Sequence, residues 1–441
     1  MRGDLGEIAR DAVGLARRAG ARQAAAGAYR SRQVEVEWRD GRVESVSEAT
    51  TRGLGLELYV EGRYSAVSTS DLRPEAVERF VRDAVALART LAPDPYRALA
   101  GPDLYRGRAE VDLQLEDPDH GRLDAAGRRR LAEAAEAGAR EAPGAEAILS
   151  VTTAFGDSLN EYWRVHSDGF EGSRRSTDFH VSAGVTVKDR DGRRPEEWDS
   201  GGARHFADLP APGHVGRRAA ERALGRLGAA KGESAVMPMA VEARAAGRLV
   251  AALLGPLAGS ALQQKRSFFE GRLGRPIGSE RLDIADDPLV PRGLGSRLFD
   301  GDGIAARRFS LFEKGVARHG YLDAYYGRKL GMPPTTGRSS NLTWALGTRG
   351  PSALVEEMGE GIVVTGFLGG NSNGTTGDFS FGVHGFRVRN GAVAEPVGEM
   401  NASGNHLELW NRLAMVGDDP HPYSPLRTPT LVFDAVQFAG R

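Results

Sequence analysis

The sequence contains no cysteine, which excludes disulfides, thiolate nucleophiles and any metal site with a Cys ligand. It also lacks excess charge of either sign. With 58 Lys+Arg against 59 Asp+Glu and a formal net charge of -1, no global field draws in nucleic acid or an anionic membrane. Lysine is scarce, occurring only at positions 188, 231, 265, 314 and 329. No apolar run approaches the roughly 18 residues of a spanning helix. The opening Met1-Arg2-Gly3-Asp4-Leu5-Gly6-Glu7 places acidic residues where a secretory signal needs an apolar core. The expectation is a cytoplasmic protein with no membrane and no nucleic-acid partner. No period of repeat length and no low-complexity tract is present.

What is present is an ordinary globular composition, 441 residues with 40% hydrophobic and 27% charged, long enough for two domains or more. Residues 4–20 read as an amphipathic helix. Val34, Val36 and Trp38 then alternate with Glu35, Glu37 and Arg39 up to a turn at Asp40-Gly41, and Leu54, Leu56 and Leu58 continue the alternation to Glu61-Gly62. A second helix is expected from about 74 to 88, opened by Pro74. These elements form an N-terminal helix/antiparallel-sheet domain at 1–95. A connector and middle α/β segment follows at 96–232. There a helix at about 121–142 carries Arg128-Arg129-Arg130 on a solvated face, with strands at 145–155, 160–168 and 176–188 and a helix at 213–229. A larger β-rich domain occupies 233–441 and opens with a long helical pattern from Ala243 to Leu273, interrupted at Gly255-Pro256. Between 245 and 262 that pattern shows no polar side and reads as buried in a core or an interface. The fold class expected is α+β.

The densest signal is Gly366-Phe367-Leu368-Gly369-Gly370-Asn371-Ser372-Asn373-Gly374-Thr375-Thr376-Gly377-Asp378. Gly369 to Thr376 has the spacing of a phosphate loop, but Thr375 stands where the lysine must be. Gly370-Asn371-Ser372-Asn373-Gly374 fits a nucleophile elbow, yet the following residues alternate like a strand where the elbow needs a helix, which leaves Ser372 in a hairpin. Gly156-Asp157-Ser158-Leu159 with Asp418-Asp419-Pro420-His421 is similar to GDSL-type esterases, but Ser158 reads as part of a turn. His406-Leu407-Glu408 comes nearest to a metal pair, and two groups do not make a site.

Leu282-Asp283-Ile284-Ala285-Asp286-Asp287-Pro288, Gly293-Leu294-Gly295-Ser296-Arg297-Leu298-Phe299-Asp300, Gly315-Val316 before Tyr321-Leu322, Thr335-Thr336-Gly337 and the Gly-rich run together resemble the TldD/PmbA family. Asp40-Gly41-Arg42-Val43-Glu44 and Ser68-Thr69-Ser70-Asp71-Leu72 extend the resemblance to the first half. The TldD kind of subunit carries a His-Glu-x-x-x-His helix and a distant Cys that bind a catalytic metal, and the TldE (PmbA) kind lacks them. Laid on this chain through Ser267 and Gly271, that helix puts Val250 and Gly255 at the His positions and Ala251 at the Glu position. The chain therefore resembles the TldE kind, which implies no cofactor or metal of its own and no catalytic residue.

The resemblance further implies a heterodimer in which a TldD-like partner cleaves unfolded peptides or processes peptide precursors. A homodimeric peptide-binding scaffold and a self-sufficient hydrolase using Ser372 or Ser158 remain as alternatives. Gly369, Gly370, Asn371, Ser372, Asn373, Thr375, Thr376 and Asp378 are the candidate peptide-binding residues, because glycine-rich backbone can pair with an added strand regardless of its side chains. Replacing Gly369 and Gly370 by Val is expected to weaken peptide capture and leave folding intact. Asp300-Gly301-Asp302-Gly303 and Gly337-Arg338-Ser339-Ser340-Asn341 depart from the family's pattern. The family is also labelled a modulator of DNA gyrase, for which this near-neutral chain gives no direct DNA-binding signal.

Overall fold

The structure, a computed structural model, describes residues 4–441. α1 (Leu5–Arg18) starts at Asp4, whose Oδ1 accepts from the Gly6 amide at 2.9 Å. β1 (Gln23–Arg39) and β2 (Arg42–Val60) join through Asp40-Gly41, and β2 joins β3 (Arg63–Thr69) through Glu61-Gly62. All four turn residues have positive φ, between 45° and 82°, the backbone that follows the twist of a two-residue hairpin. β1 begins well before Val34, because Ala24, Ala26 and Ala28 pack beneath α1 and α2 (Pro74–Ala88) with Leu54, Leu56 and Leu58 of β2.

The connector holds a single short helix, α3 (Pro102–Tyr105). Beyond it come α4 (Ala125–Arg140), β4 (Ile148–His166), β5 (Glu171–Val187), β6 (Glu196–Ala203) and α5 (Pro212–Leu224). The strands β3-β2-β1-β4-β5-β6, drawn from both sides of residue 95, form one six-stranded sheet with every neighbour antiparallel. α4 and α5 approach so closely that a Cβ at Gly138 or Gly216 would strike the other helix's backbone.

Two expectations fail here for one reason. Gly156-Asp157-Ser158-Leu159 is not a turn: β4 runs straight through it, with Ser158 opposite Gln33 and Asp178. Arg128 is not on a solvated face, being 5% exposed. The Asp157 carboxylate, 3% exposed, receives Arg128 and lies 2.7 Å from His120 Nε2. A buried carboxylate needs such partners, and the partnership fixes both the strand and the helix face. Burial pushes the Asp157 carboxyl up, but hydrogen bonds from His120 and Arg128 and their charges outweigh it and leave the pKa below its ordinary value.

The second half begins with β7 (Ala230–Lys231) and β8 (Ala235–Val241), and β8 leads into α6 (Ala243–Leu254). Gly255-Pro256 ends that helix and α7 (Gly259–Gln263) follows, so the helical pattern holds as two pieces only as far as Gln263, and residues 264–273, expected to continue it, are turns and loop. β9 (Ile284–Asp287), β10 (Phe309–Glu313), β11 (Val316–Ala317), α8 (Ala324–Leu330), β12 (Asn341–Trp344) and α9 (Pro351–Met358) come next, the strands forming a small sheet ordered β11-β10-β9-β12. The chain closes with β13 (Gly361–Ser372), β14 (Asp378–Arg389), β15 (Ala392–Asn405), α10 (His406–Asn411), β16 (Leu413–Val416) and β17 (Leu431–Ala439).

β16-β17-β8-β13-β14-β15-β7 form the largest sheet, and β17 also pairs with β15, so β17, β8, β13, β14 and β15 close into a ring. Its core includes Met239, Phe379, Phe381, Phe433 and Phe438 together with Leu249, Val250 and Leu253 of α6. The opposite side of α6, with Arg248, Ala251 and Gly255, is exposed. The architecture is α+β with a β-rich C-terminal part. Among the described residues no helix is long and apolar enough to cross a membrane.

Asp157→Ala strands the Arg128 guanidinium and should lower unfolding free energy by about 3–5 kcal/mol. Asp71→Ala, at the exposed pair with Arg73, should leave the midpoint of the same denaturant titration essentially unmoved, because solvent screens that pair. Because the Asp157 pKa is depressed on folding, its contribution is present above about pH 3.9 and disappears as pH falls through the folded value.

Candidate functional site

The Gly-rich run forms the β13–β14 hairpin. The register passes from Leu368↔Gly382 to Asn371↔Ser380, which leaves Gly369 and Gly370 as a bulge at φ 63° and 84°. Arg248 of α6 holds both carbonyls, its Nη2 donating to Gly369 O at 3.0 Å and Gly370 O at 3.3 Å, with its guanidinium 5.0 Å from the Phe381 ring. At the tip, Asn373 Oδ1 accepts from the amides of Thr375 (2.9 Å) and Thr376 (3.3 Å), a side chain standing in for a backbone turn. Asp378 accepts from Thr376 Oγ1 at 2.7 Å and Asn405 Nδ2 at 2.9 Å, and these bonds hold its carboxyl below the usual range. Phe268 N donates to Gly374 O at 2.9 Å and Ser267 Oγ to Pro256 O at 2.7 Å, so the tip sits over the break between α6 and α7. Every candidate residue of the run thus lies on this hairpin, beside the exposed side of α6.

The structure brings together one pair that sequence separation hides. Ser372 Oγ lies 2.9 Å from His406 Nε2, 34 residues away. His406 is fully buried against Phe268 and Phe379, and its Nδ1 has no partner. Burial pulls its pKa down to about 4. A serine nucleophile needs a base whose imidazolium is stabilised on the other ring nitrogen; here apolar rings surround a ring that resists protonation. No helix follows Ser372, and the chain turns straight into β14. The esterase-like set is not assembled either. Ser158 accepts from Asn160 Nδ2 in mid-strand, Asp419 is occupied by Thr430, and no hydrogen bond joins Ser158 to Asp418 or His421 among the described residues.

Val250 is 1% exposed and presents only alkyl atoms, Ala251 is an exposed methyl, and Gly255 has no side chain. Among the described residues no group of three or more His, Asp or Glu side chains is placed to hold a metal. The residues at these positions do not fit a metal ion.

The expectation that valine is tolerated at both bulge glycines needs correction. A Cβ on Gly370 would collide with the Ser380 carbonyl oxygen, while one on Gly369 meets open space. Gly370→Val should therefore lower stability by about 2–4 kcal/mol through overlap and strain. Gly369→Val should cost about 1–2 kcal/mol, from the positive φ alone, and the two midpoints in a thermal melt separate them. His406 gives a pH signature. With its folded pKa below the ordinary value, the neutral ring stabilises fully above about pH 6.5 and that contribution disappears as pH falls through about 4. His406→Gln should flatten the acid side of a stability–pH curve across that window.

Sequence models of the PmbA/TldA metallopeptidase match in order: domain 1 over residues 24–88, the central domain over 118–227 and the C-terminal domain over 234–440. The metalloprotease PmbA of Escherichia coli O157:H7 is 30% identical over 415 residues, covering 92% of this chain and 90% of its own length. A Bacteroides thetaiotaomicron crystal structure, named for modulation of DNA gyrase, superposes with TM-score 0.94 at 38% identity, covering 99% of this chain and 98% of the other. TldE from Thermococcus kodakarensis shares the fold, with TM-score 0.85 at 20% identity over 98% and 100% of the two chains. With its domains matched in order and its relatives aligned over nearly its whole length, the chain belongs to the PmbA/TldD family.

Proposed function

We propose that this chain is the metal-free, TldE-type subunit of a two-subunit metalloprotease, completing the peptide chamber of a metal-bearing, TldD-like partner that degrades or processes unfolded peptides. The observation that carries the reading is the set of side chains at the C-terminal end of α6. Where a catalytic subunit would present two imidazoles and a carboxylate, this helix has Val250, Gly255 and Ala251, and Val250 is turned into the core. Without donors the chain has no means of activating water there, and its own catalytic residues are none. The open strip of Ala251 and Gly255 offers a partner a surface with little to desolvate.

In this reading Gly369, Gly370, Asn371, Ser372, Asn373, Thr375, Thr376 and Asp378 border the peptide path. The hairpin supplies a backbone already fixed by Arg248 and Asn373, so an extended peptide meets an ordered edge and loses less freedom on binding. A cysteine-free chain with balanced charge suits the reducing cytoplasm.

The Ser372–His406 contact favours a second reading, a serine hydrolase, and one assay separates the two. An unfolded peptide is incubated with the purified chain, with a TldD-like subunit and with both. The expected outcome is no cleavage by this chain alone, chelator-sensitive cleavage by the pair, and an unchanged rate when the pair carries Ser372→Ala. Cleavage by the chain alone that survives chelator and is lost in Ser372→Ala overturns the proposal.

A further inference from the structure

Away from the hairpin, a cavity of about 1160 Å³ opens where the connector, the β4–β5 hairpin and the loops around residues 300 and 338 meet. That is ample for a ligand larger than a single amino acid, since small-molecule sites usually span about 300–1,000 Å³. Arg174, Arg297 and Arg338 all line it.

Among the described residues none of these guanidinium groups has a carboxylate within salt-bridge distance, although the charges of Asp286 and Asp300 act on Arg297 from further away. Arg174 has no carboxylate within salt-bridge distance among the described residues; burial and the nearby charges of Arg204, Arg338 and Arg297 push its pKa below the ordinary value. Arg297 is 4% exposed and bonds to neutral groups, the Ser339 carbonyl at 3.0 Å, Thr336 Oγ1 at 3.2 Å and the Arg338 carbonyl. Its Nε has no partner at all. A buried donor left without an acceptor is costly unless a ligand supplies one. Three cations gathered in one wall repel one another, and a bound anion removes that repulsion.

The acids in the same cavity are committed elsewhere. Asp302 accepts from the Ala324 amide at 2.9 Å, Asp323 from the Tyr326 amide at 2.7 Å, and Asp300 from Thr336 Oγ1 at 3.0 Å. Glu116 pairs with Arg175 at 3.0 Å. With Asp112 they still make the cavity unfavourable for polyanions such as nucleotides. A ligand carrying one negative charge beside neutral or positive groups fits better, and the planar fork of arginine matches a carboxylate.

We propose that this cavity binds short peptides through their free C-terminal carboxylate, which the guanidinium groups of Arg174, Arg297 and Arg338 receive. The site belongs to this chain alone, and the choice of a peptide over other carboxylates rests on the proposed function. Binding of this kind retains a cleaved peptide by its newly formed end or selects substrates that have one.

Calorimetric titration of the full chain tests it with three probes: tri-alanine as the free acid, tri-alanine amide and inorganic phosphate. The free acid should bind, the amide at least about tenfold more weakly, as for loss of one charge-assisted hydrogen-bonded group, and phosphate more weakly than the free acid. Arg174→Gln should weaken the free acid about tenfold with an unchanged melting temperature, because Arg174 holds no structural partner. Equal binding of acid and amide, tighter binding of phosphate, or no binding of the free acid overturns the proposal. If Arg174→Gln lowers the melting temperature, Arg338→Gln at an exposed position carries the same expectation, and unchanged affinity in it also overturns the proposal.

Discussion

β17 pairs with β8 along one edge and with β15 along the other, and that double pairing is the constraint on which the C-terminal half depends. It joins the last strand of the chain to strands far earlier in sequence, closing a ring that leaves its members no free edge over the paired stretches. The functional elements leave directly from ring strands. α6 departs from the end of β8, where the Glu242 amide bonds to Val364 O at 3.0 Å; the Gly-rich hairpin departs from β13; and α10 departs from β15, bringing His406 under the hairpin. Their juxtaposition follows from ring closure and not from any local preference.

Within that frame the hairpin is held by polar side chains that satisfy backbone groups. Arg248 takes the bulge carbonyls and Asn373 the tip amides, while Asp378 ties the Thr376 and Asn405 side chains together beside them. The result is an ordered backbone surface, adjoining a helix face that carries no metal donor. Family membership and local chemistry therefore point to different things. The family is one of metallopeptidases, yet the residues at the helix positions are hydrocarbon or hydrogen, and the proposed division of labour between two subunits reconciles them.

The parts legible in the sequence were those fixed locally. Asp40-Gly41 and Glu61-Gly62 announced their turns because few residues adopt positive φ readily; Gly255-Pro256 announced the end of α6. The parts that were not legible are fixed by distant partners. Gly156-Asp157-Ser158 has the composition of a turn, but Arg128 and His120 draw Asp157 into the interior and keep the strand straight. The start of β1 was hidden because Ala24, Ala26 and Ala28 have little strand preference and take it from the helices above them. The Ser372–His406 contact and the convergence of Arg174, Arg297 and Arg338 are long-range results of packing, and no spacing in the chain records them. The Gly-rich hairpin itself was readable because glycine beside small polar residues leaves few other uses.

The central claim, that the metal of the protease lies in a partner and not here, is tested most directly by native mass spectrometry with metal analysis. The isolated chain and its complex with a TldD-like subunit are measured side by side in zinc-containing buffer. The account predicts a metal-free isolated chain and a one-to-one complex carrying a single tightly held metal ion that remains with the partner on dissociation. A stoichiometric metal retained by the isolated chain, or a metal lost from the complex when this chain departs, would contradict it.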